Sequence, residues 1–143
     1  MKIAIGCDHA GFKLKSIVLD ELKKWGYEVE DFGTYSEESV DYPLYGKAVG
    51  EAVVSGKADF GIVICGSGIG ISISANKVKG VRCALGHDLY TAEFSRRHNN
   101  ANVLAMGGRV IGEGLAIAIV EKFLTTEFEG GRHQRRVEQI ENN

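Results

Sequence analysis

The chain has 143 residues, of which 19 are glycine and one is proline, where average usage would give about ten glycines and about seven prolines. Because 44% of it is hydrophobic, that excess belongs to tight turns in a compact protein and excludes a proline-rich linker, a collagen-like repeat or a disordered tail. A net charge of −2 gives no field for steering onto nucleic acid or an anionic membrane, so an anionic ligand has to meet a local basic cluster.

In chain order, residues 2–6 (KIAIG) read as a short strand, and Phe12, Leu14, Ile17, Val18, Leu22 and Trp25 then recur at helical spacing with lysines between them. Gly26 stops that helix, and residues 27–32 (YEVEDF) read as a second strand. Asp41 and Pro43 mark a helix start that runs through Ala48, Val49, Ala52 and Val53 to Gly56. Residues 60–65 (FGIVIC) form a continuous apolar strand leading into a glycine-rich turn and a helix. Residues 81–85 (VRCAL) are another strand, followed by a helix from about Asp88 to His98. Residues 103–108 (VLAMGG) close the series, with a helix near 113–124 behind them.

Five strands each followed by a helix predict a doubly wound α/β fold, because parallel strands need right-handed crossovers and bury both faces. The expected architecture is a three-layer αβα sandwich on a five-stranded parallel sheet, one domain over residues 1–143 with a C-terminal helical tail. From about Thr125 that tail has only Val137 and Ile140 as obvious apolar anchors, so it is expected to pack on this domain or on a second subunit. The odd cysteines Cys7, Cys65 and Cys83, with no leader-like segment at the start, point to a reducing cytoplasm. No apolar run approaches the roughly 18 residues of a membrane span.

In open α/β sheets ligands bind outside the carboxyl ends of the strands, so the residues after each strand carry the chemistry. They are Cys7-Asp8-His9, Cys65-Gly66-Ser67-Gly68-Ile69-Gly70, Gly86-His87-Asp88 and Gly107-Gly108-Arg109. Alternating glycines at 66, 68 and 70 let backbone N–H groups turn inward at a helix N-terminus, an oxyanion cradle. The loop fails as a dinucleotide fingerprint because Ile71 stands where glycine or alanine is needed, and it lacks the Gly-Lys-Ser/Thr of a nucleotide P-loop. Cys65 at its mouth is a candidate reactive thiol, since helix N-termini favour the thiolate. Cys83, inside a strand, reads as core. Cys7 reads either way, and Asp8 reads either as a helix N-cap or as a ligand. Arg132 and Arg136, four apart behind Gly130-Gly131, form the local basic cluster or else a solvated face. His98 ends the helix before the fifth strand and so lies toward the amino edge of the sheet, where a catalytic role would serve another subunit's site.

With these residues assembled, the sequence resembles the type B ribose-5-phosphate isomerases, a family that includes galactose-6-phosphate isomerase subunits. The blocks are GCDHAGF at 6–12, DYP at 41–43, ICGSGIGISISANK at 64–77, SRRHNNANVLAMGGRV at 95–110 and EGGRHQRRV at 129–137. The resemblance implies a Rossmann-like sheet and interconversion of ribose 5-phosphate and ribulose 5-phosphate through a cis-enediolate, in the non-oxidative pentose phosphate pathway, without metal or cofactor. It implies Cys65 as the base between the two sugar carbons, His98 as the group that opens the furanose ring, and a hydroxyl role for Ser67. Asp8, His9, Tyr42 and Asn99 resemble sugar ligands, and the backbone of Gly66, Ser67, Gly68, Ile69 and Gly70 would hold the enediolate. Arg109, Arg132 and Arg136 resemble anion-binding arginines, the last two a phosphate clamp. The family's dimers or tetramers, with sites between subunits, fit the position of His98. Two other readings stand beside this one: an isomerase of galactose or allose 6-phosphate, and a non-catalytic phospho-ligand-binding module. A redox role lacks any close cysteine pair.

Overall fold

The computed structural model describes residues 1–142. Five parallel strands, β1 (Lys2–Cys7), β2 (Glu28–Asp31), β3 (Phe60–Cys65), β4 (Cys83–Leu85) and β5 (Val103–Gly107), form one sheet in the order β2-β1-β3-β5-β4. The helices are α1 (Phe12–Lys24), α2 (Tyr42–Val54), α3 (Ile69–Asn76), α4 (Leu89–Arg97), α5 (Glu113–Thr125) and α6 (Arg132–Glu141). The predicted doubly wound sandwich is the fold.

The apolar run of β3 follows from its central position. Successive side chains point to opposite faces, and both faces are covered. Ile62 and Ile64 join Leu14, Val18, Leu104, Ile119 and Phe123 in the core under α1, α4 and α5. Val63 and Cys65 point the other way, into the core with Val49, Ile71 and Ala75 under α2 and α3. The helix stops follow the same local rules as their sequence signals: Gly26 takes φ +88° just past α1, where a side chain would be strained, and Pro43 opens α2 within its first two residues.

One expectation is corrected. Cys83 is half-buried rather than core, because β4 is an edge strand that pairs with β5 alone. Strand order is a tertiary property, and nothing in VRCAL marks it as outermost.

The chain runs from β1 outward to β2, then returns past β1 to β3. That reversal leaves a crevice at the carboxyl ends of the adjacent strands β1 and β3, the usual ligand position in such sheets. The tail docks at the other edge. Val137 and His133 of α6 are buried, Glu141 pairs with Arg82 at 2.8 Å, and the Glu129 amide donates to the Arg97 carbonyl at 3.0 Å. Ile140 stays 54% exposed.

Candidate active site

A cleft of about 720 Å³ opens at the β1/β3 crevice, and it is lined by Asp8, Tyr42, Cys65, Gly66, Ser67, Ile69, Gly70, Ile73, Arg109 and Val110. Its floor is the turn from β3 into α3. Gly68 sits at φ +79°, and a Cβ there would come within 2.6 Å of Leu85 and 2.8 Å of the Met106 backbone, so only glycine fits. Its amide donates to Cys65 Sγ at 3.2 Å, and the Ile69 amide donates to Ser67 Oγ at 3.1 Å. Among the described residues, the amides of Gly66, Ser67, Gly70 and Ile71 make no hydrogen bond within the chain. They are free donors at a helix N-terminus, where the dipole favours negative charge. A Cβ on Gly70 would lie 2.6 Å from the Tyr42 ring, so the absent side chain is what lets Tyr42 close over the turn. From the far side, the loop after β5 is tied to the floor by the amides of Gly108 and Arg109, which donate to the carbonyls of Cys65 and Gly66.

Asp8 reconciles its two readings. Its Oδ1 accepts from the amides of Ala10 and Gly11, capping the turn before α1, while the residue also lines the cleft with Oδ2 uncommitted. His9 Nδ1 accepts from the Val40 amide at 3.1 Å, which places the proton of the neutral ring on Nε2 as a donor. The segment beyond β2 is anchored by Lys15, a buried lysine whose Nζ meets Asp31 at 2.8 Å and the Thr34 carbonyl. Sequence reasoning passed over Lys15; the only signal was a lysine set beside the apolar stripe of α1. It also passed over Ile73 and Val110. For Ile73 the signal was four-residue spacing from Ile69 on a helix whose outward face should be polar.

The remaining predicted residues lie elsewhere. His98, Asn99, Arg132 and Arg136 gather at the amino edge, because α4 runs antiparallel to the strands and α6 docks at its end. Arg132 and Arg136 are exposed and make no ion pair among the described residues. Asn99 lines a separate cavity of about 340 Å³ with Arg82, Cys83 and Ile140. The structure therefore brings together Asp8, Tyr42, the 65–70 loop and Arg109, leaves His9 next to Asp8 but outside the cleft lining, and holds His98, Asn99, Arg132 and Arg136 apart from them.

At that second edge His98 lies between two rings. The Phe94 ring meets it edge-on at 4.8 Å, and the buried His133 stacks on it at 4.0 Å with planes 11° apart. Glu129 Oε1 is 3.8 Å from His98 Nε2 and 3.6 Å from His133 Nε2. The hydrogen bond from Arg97 holds the Glu129 carboxyl below its usual range. Burial, with His98 and Arg132 adding like charge, holds the His133 imidazole below its ordinary value. These three groups bring donor atoms within 4.8 Å of one another, the one such cluster among the described residues. Nearly parallel rings keep their in-plane lone pairs from converging, so an ion about 2.1 Å from both nitrogens would sit well off both ring planes. The trio is a ring stack sharing one carboxylate rather than a chelate.

Burial pushes Cys7 up to about 11 and Cys83 up to about 12, which keeps both protonated, whereas Cys65 opens on the cleft.

The profile of the Ribose/Galactose Isomerase family matches residues 3–140. The chain is 52% identical over 139 residues to ribose-5-phosphate isomerase B of Escherichia coli K12, covering 97% of this chain and 93% of that one. It is 44% identical over 137 residues to galactose-6-phosphate isomerase subunit LacB of Clostridium acetobutylicum, covering 96% and 79%. Among solved structures, Clostridium thermocellum ribose-5-phosphate isomerase B superposes with a TM-score of 0.98 at 58% identity, over 99% of this chain and 96% of that one.

Proposed function

The chain belongs to the ribose/galactose isomerase family, and on that premise we propose that it interconverts ribose 5-phosphate and ribulose 5-phosphate through a cis-enediolate. The observation that carries this reading is Cys65 beside four uncommitted amides in a cleft that also holds Arg109. A sugar α-carbon is a weak acid. Its proton can leave only where the oxyanion is already awaited, and donors of this kind contribute factors of about 10²–10³ in rate.

In this reading Cys65 Sγ takes the proton from C2 of the open aldose and returns it to C1, with the charge on the enediolate oxygens held by the free amides of the turn, those of Gly66, Ser67, Gly70 and Ile71 rather than the committed ones of Gly68 and Ile69. Ser67 Oγ and Asp8 Oδ2 bind sugar hydroxyls, Tyr42 closes one wall, and His9 donates from Nε2. His98 opens the furanose, and Asn99 binds the sugar beside it. Arg132 and Arg136 hold the phosphate, whose distance from the reacting carbons lets its binding energy orient the sugar.

His98, Asn99, Arg132 and Arg136 can reach such a cleft only from a second copy, so the working form is a homodimer, or a tetramer of such dimers, with each site shared. The exposed apolar side chains of Ile69, Ile73 and Val110 on the cleft rim support a covering partner. The chain acts as one domain in the cytoplasm, in the non-oxidative pentose phosphate pathway, without metal. No helix among the described residues is long and apolar enough to cross a membrane.

The test is ketose formation from ribose 5-phosphate in the presence of a chelator, with galactose 6-phosphate and allose 6-phosphate assayed alongside. Turnover of ribose 5-phosphate that survives the chelator and is lost in Cys65→Ala supports the reading. Preference for a six-carbon substrate would replace it with the galactose-type activity of the LacB relative, and binding without ketose would replace it with a phospho-ligand module.

A further inference from the structure

The ring stack at the amino edge serves no packing need that explains its composition. A buried histidine at 133 costs desolvation that leucine or phenylalanine would avoid, and its imidazole lies face to face with the one residue to which ring opening is assigned. Glu129 is held by Arg97 through Nε, and Arg97 is itself braced by Glu93 at 2.8 Å, so the carboxylate is fixed where it faces both imidazoles.

We propose that Glu129 and His133 are positioning residues for His98: the face of His133 sets the plane of the His98 ring, and the Glu129 carboxylate balances the charge His98 gains when it takes a proton. This rests on the assignment of ring opening to His98. In that step the anomeric O1–H proton passes to the His98 nitrogen and the C1–O4 bond breaks. Its electron pair goes to O4, which receives a proton, so the net change is one proton moved from O1 to O4. A second cation 4.0 Å away would oppose protonation of His98, and His133 avoids this by staying neutral: it is buried, and Arg132 and Arg136 lie nearby. Glu129 Oε1 lies 3.8 Å from Nε2 of His98, the ring with 35% of its side chain open to a substrate. Phe94 closes the remaining edge, leaving the imidazole little freedom to rotate.

The discriminating readout separates ring opening from enediolate chemistry. Deuterium wash-in at C1 of ribulose 5-phosphate needs only proton transfer through the enediolate, since that ketose has its 5-oxygen phosphorylated and is open-chain. Net conversion of ribose 5-phosphate needs the ring opened as well. Glu129→Gln, at an exposed carboxylate, and His133→Ala are expected to lower kcat/KM for ribose 5-phosphate roughly tenfold, less than the roughly 10²–10⁴ that a general acid–base group itself supplies, because both act through His98. In both, the ratio of wash-in to conversion should rise by a similar factor. His133→Phe, which restores an aromatic face, should stay within about twofold of the parent on the same scale. Unchanged conversion in Glu129→Gln, or a fall with no rise in the ratio, overturns the proposal, and a His133→Phe as impaired as His133→Ala overturns the stacking half of it. His98→Asn is the control for the underlying assignment. If its ratio does not rise, ring opening does not belong to His98; if it rises while Glu129→Gln matches the parent, the positioning proposal alone fails.

Discussion

Cys65 and His98 stand at opposite edges of the same sheet: Cys65 closes β3 at the carboxyl edge, and His98 caps α4 at the amino edge. The sheet core lies between them, with Ile62, Ile64, Leu104 and Met106 fully buried, so no side-chain rotation joins the two in one chain. With Cys65 proposed as the base and His98 as the ring-opening group, the two have to meet around one sugar from different chains.

Selective alkylation should single out one thiol. The thiolate is the reactive form, and burial holds Cys7 at about 11 and Cys83 at about 12. Iodoacetamide near neutral pH is expected to label Cys65 first, with activity lost in proportion to that label and protected by ribose 5-phosphate. Early labelling of Cys83, despite its greater exposure, would contradict this.

Gly68→Ala should destabilise the fold by about 1–3 kcal/mol, read from the denaturant midpoint. The cost has two parts, a left-handed backbone at φ +79° and a Cβ forced to within 2.8 Å of the Met106 backbone, which cannot step aside as a side chain could. A midpoint equal to the parent's would show that the turn has another conformation available.

Much of this was legible in the chain. The five strand-helix units follow from runs such as FGIVIC, from the stop at Gly26 and from the start at Pro43, because local backbone rules and periodicity act within a few residues. Cys65, the glycines around it and Asp8 were legible for the same reason, since a cradle at a strand end is a local motif. Cys83 was misread as core because its burial depends on strand order. The stack of His133 on His98 left no trace in the sequence, since it joins residues 35 positions apart through the docking of α6. Even the EGGRHQRRV block pointed to its arginines and not to the imidazole between them.

Arg136→Ala should raise KM for ribose 5-phosphate roughly tenfold with kcat nearly held, the loss expected for one charge-assisted phosphate contact. Arg136 is exposed and unpaired among the described residues, so the substitution disturbs no ion pair of the fold. A fall in kcat with KM unchanged would remove it from the phosphate clamp.

Acid should weaken the native state through His133. Its folded-state pKa lies below the ordinary 6.5 because of burial first and the positive charge of its neighbours second. The unfolded chain then binds more protons than the native one, so stability rises with pH. The contribution is absent above the ordinary value and becomes a penalty as pH falls through 6.5. The drop in Tm between about pH 7.5 and about pH 5.5 should be smaller in His133→Phe than in the parent, and equal drops would contradict the assignment.

The shared site is tested most directly by mixing two inactive chains. Cys65→Ala lacks the proposed base and His98→Asn lacks the proposed ring-opening group, so each alone should be nearly inactive on ribose 5-phosphate. In a two-fold dimer with shared sites, a hybrid of the two carries one site with both residues intact, so random co-refolding should restore about a quarter of parent activity. A mixture no more active than its components would contradict a site built from two chains.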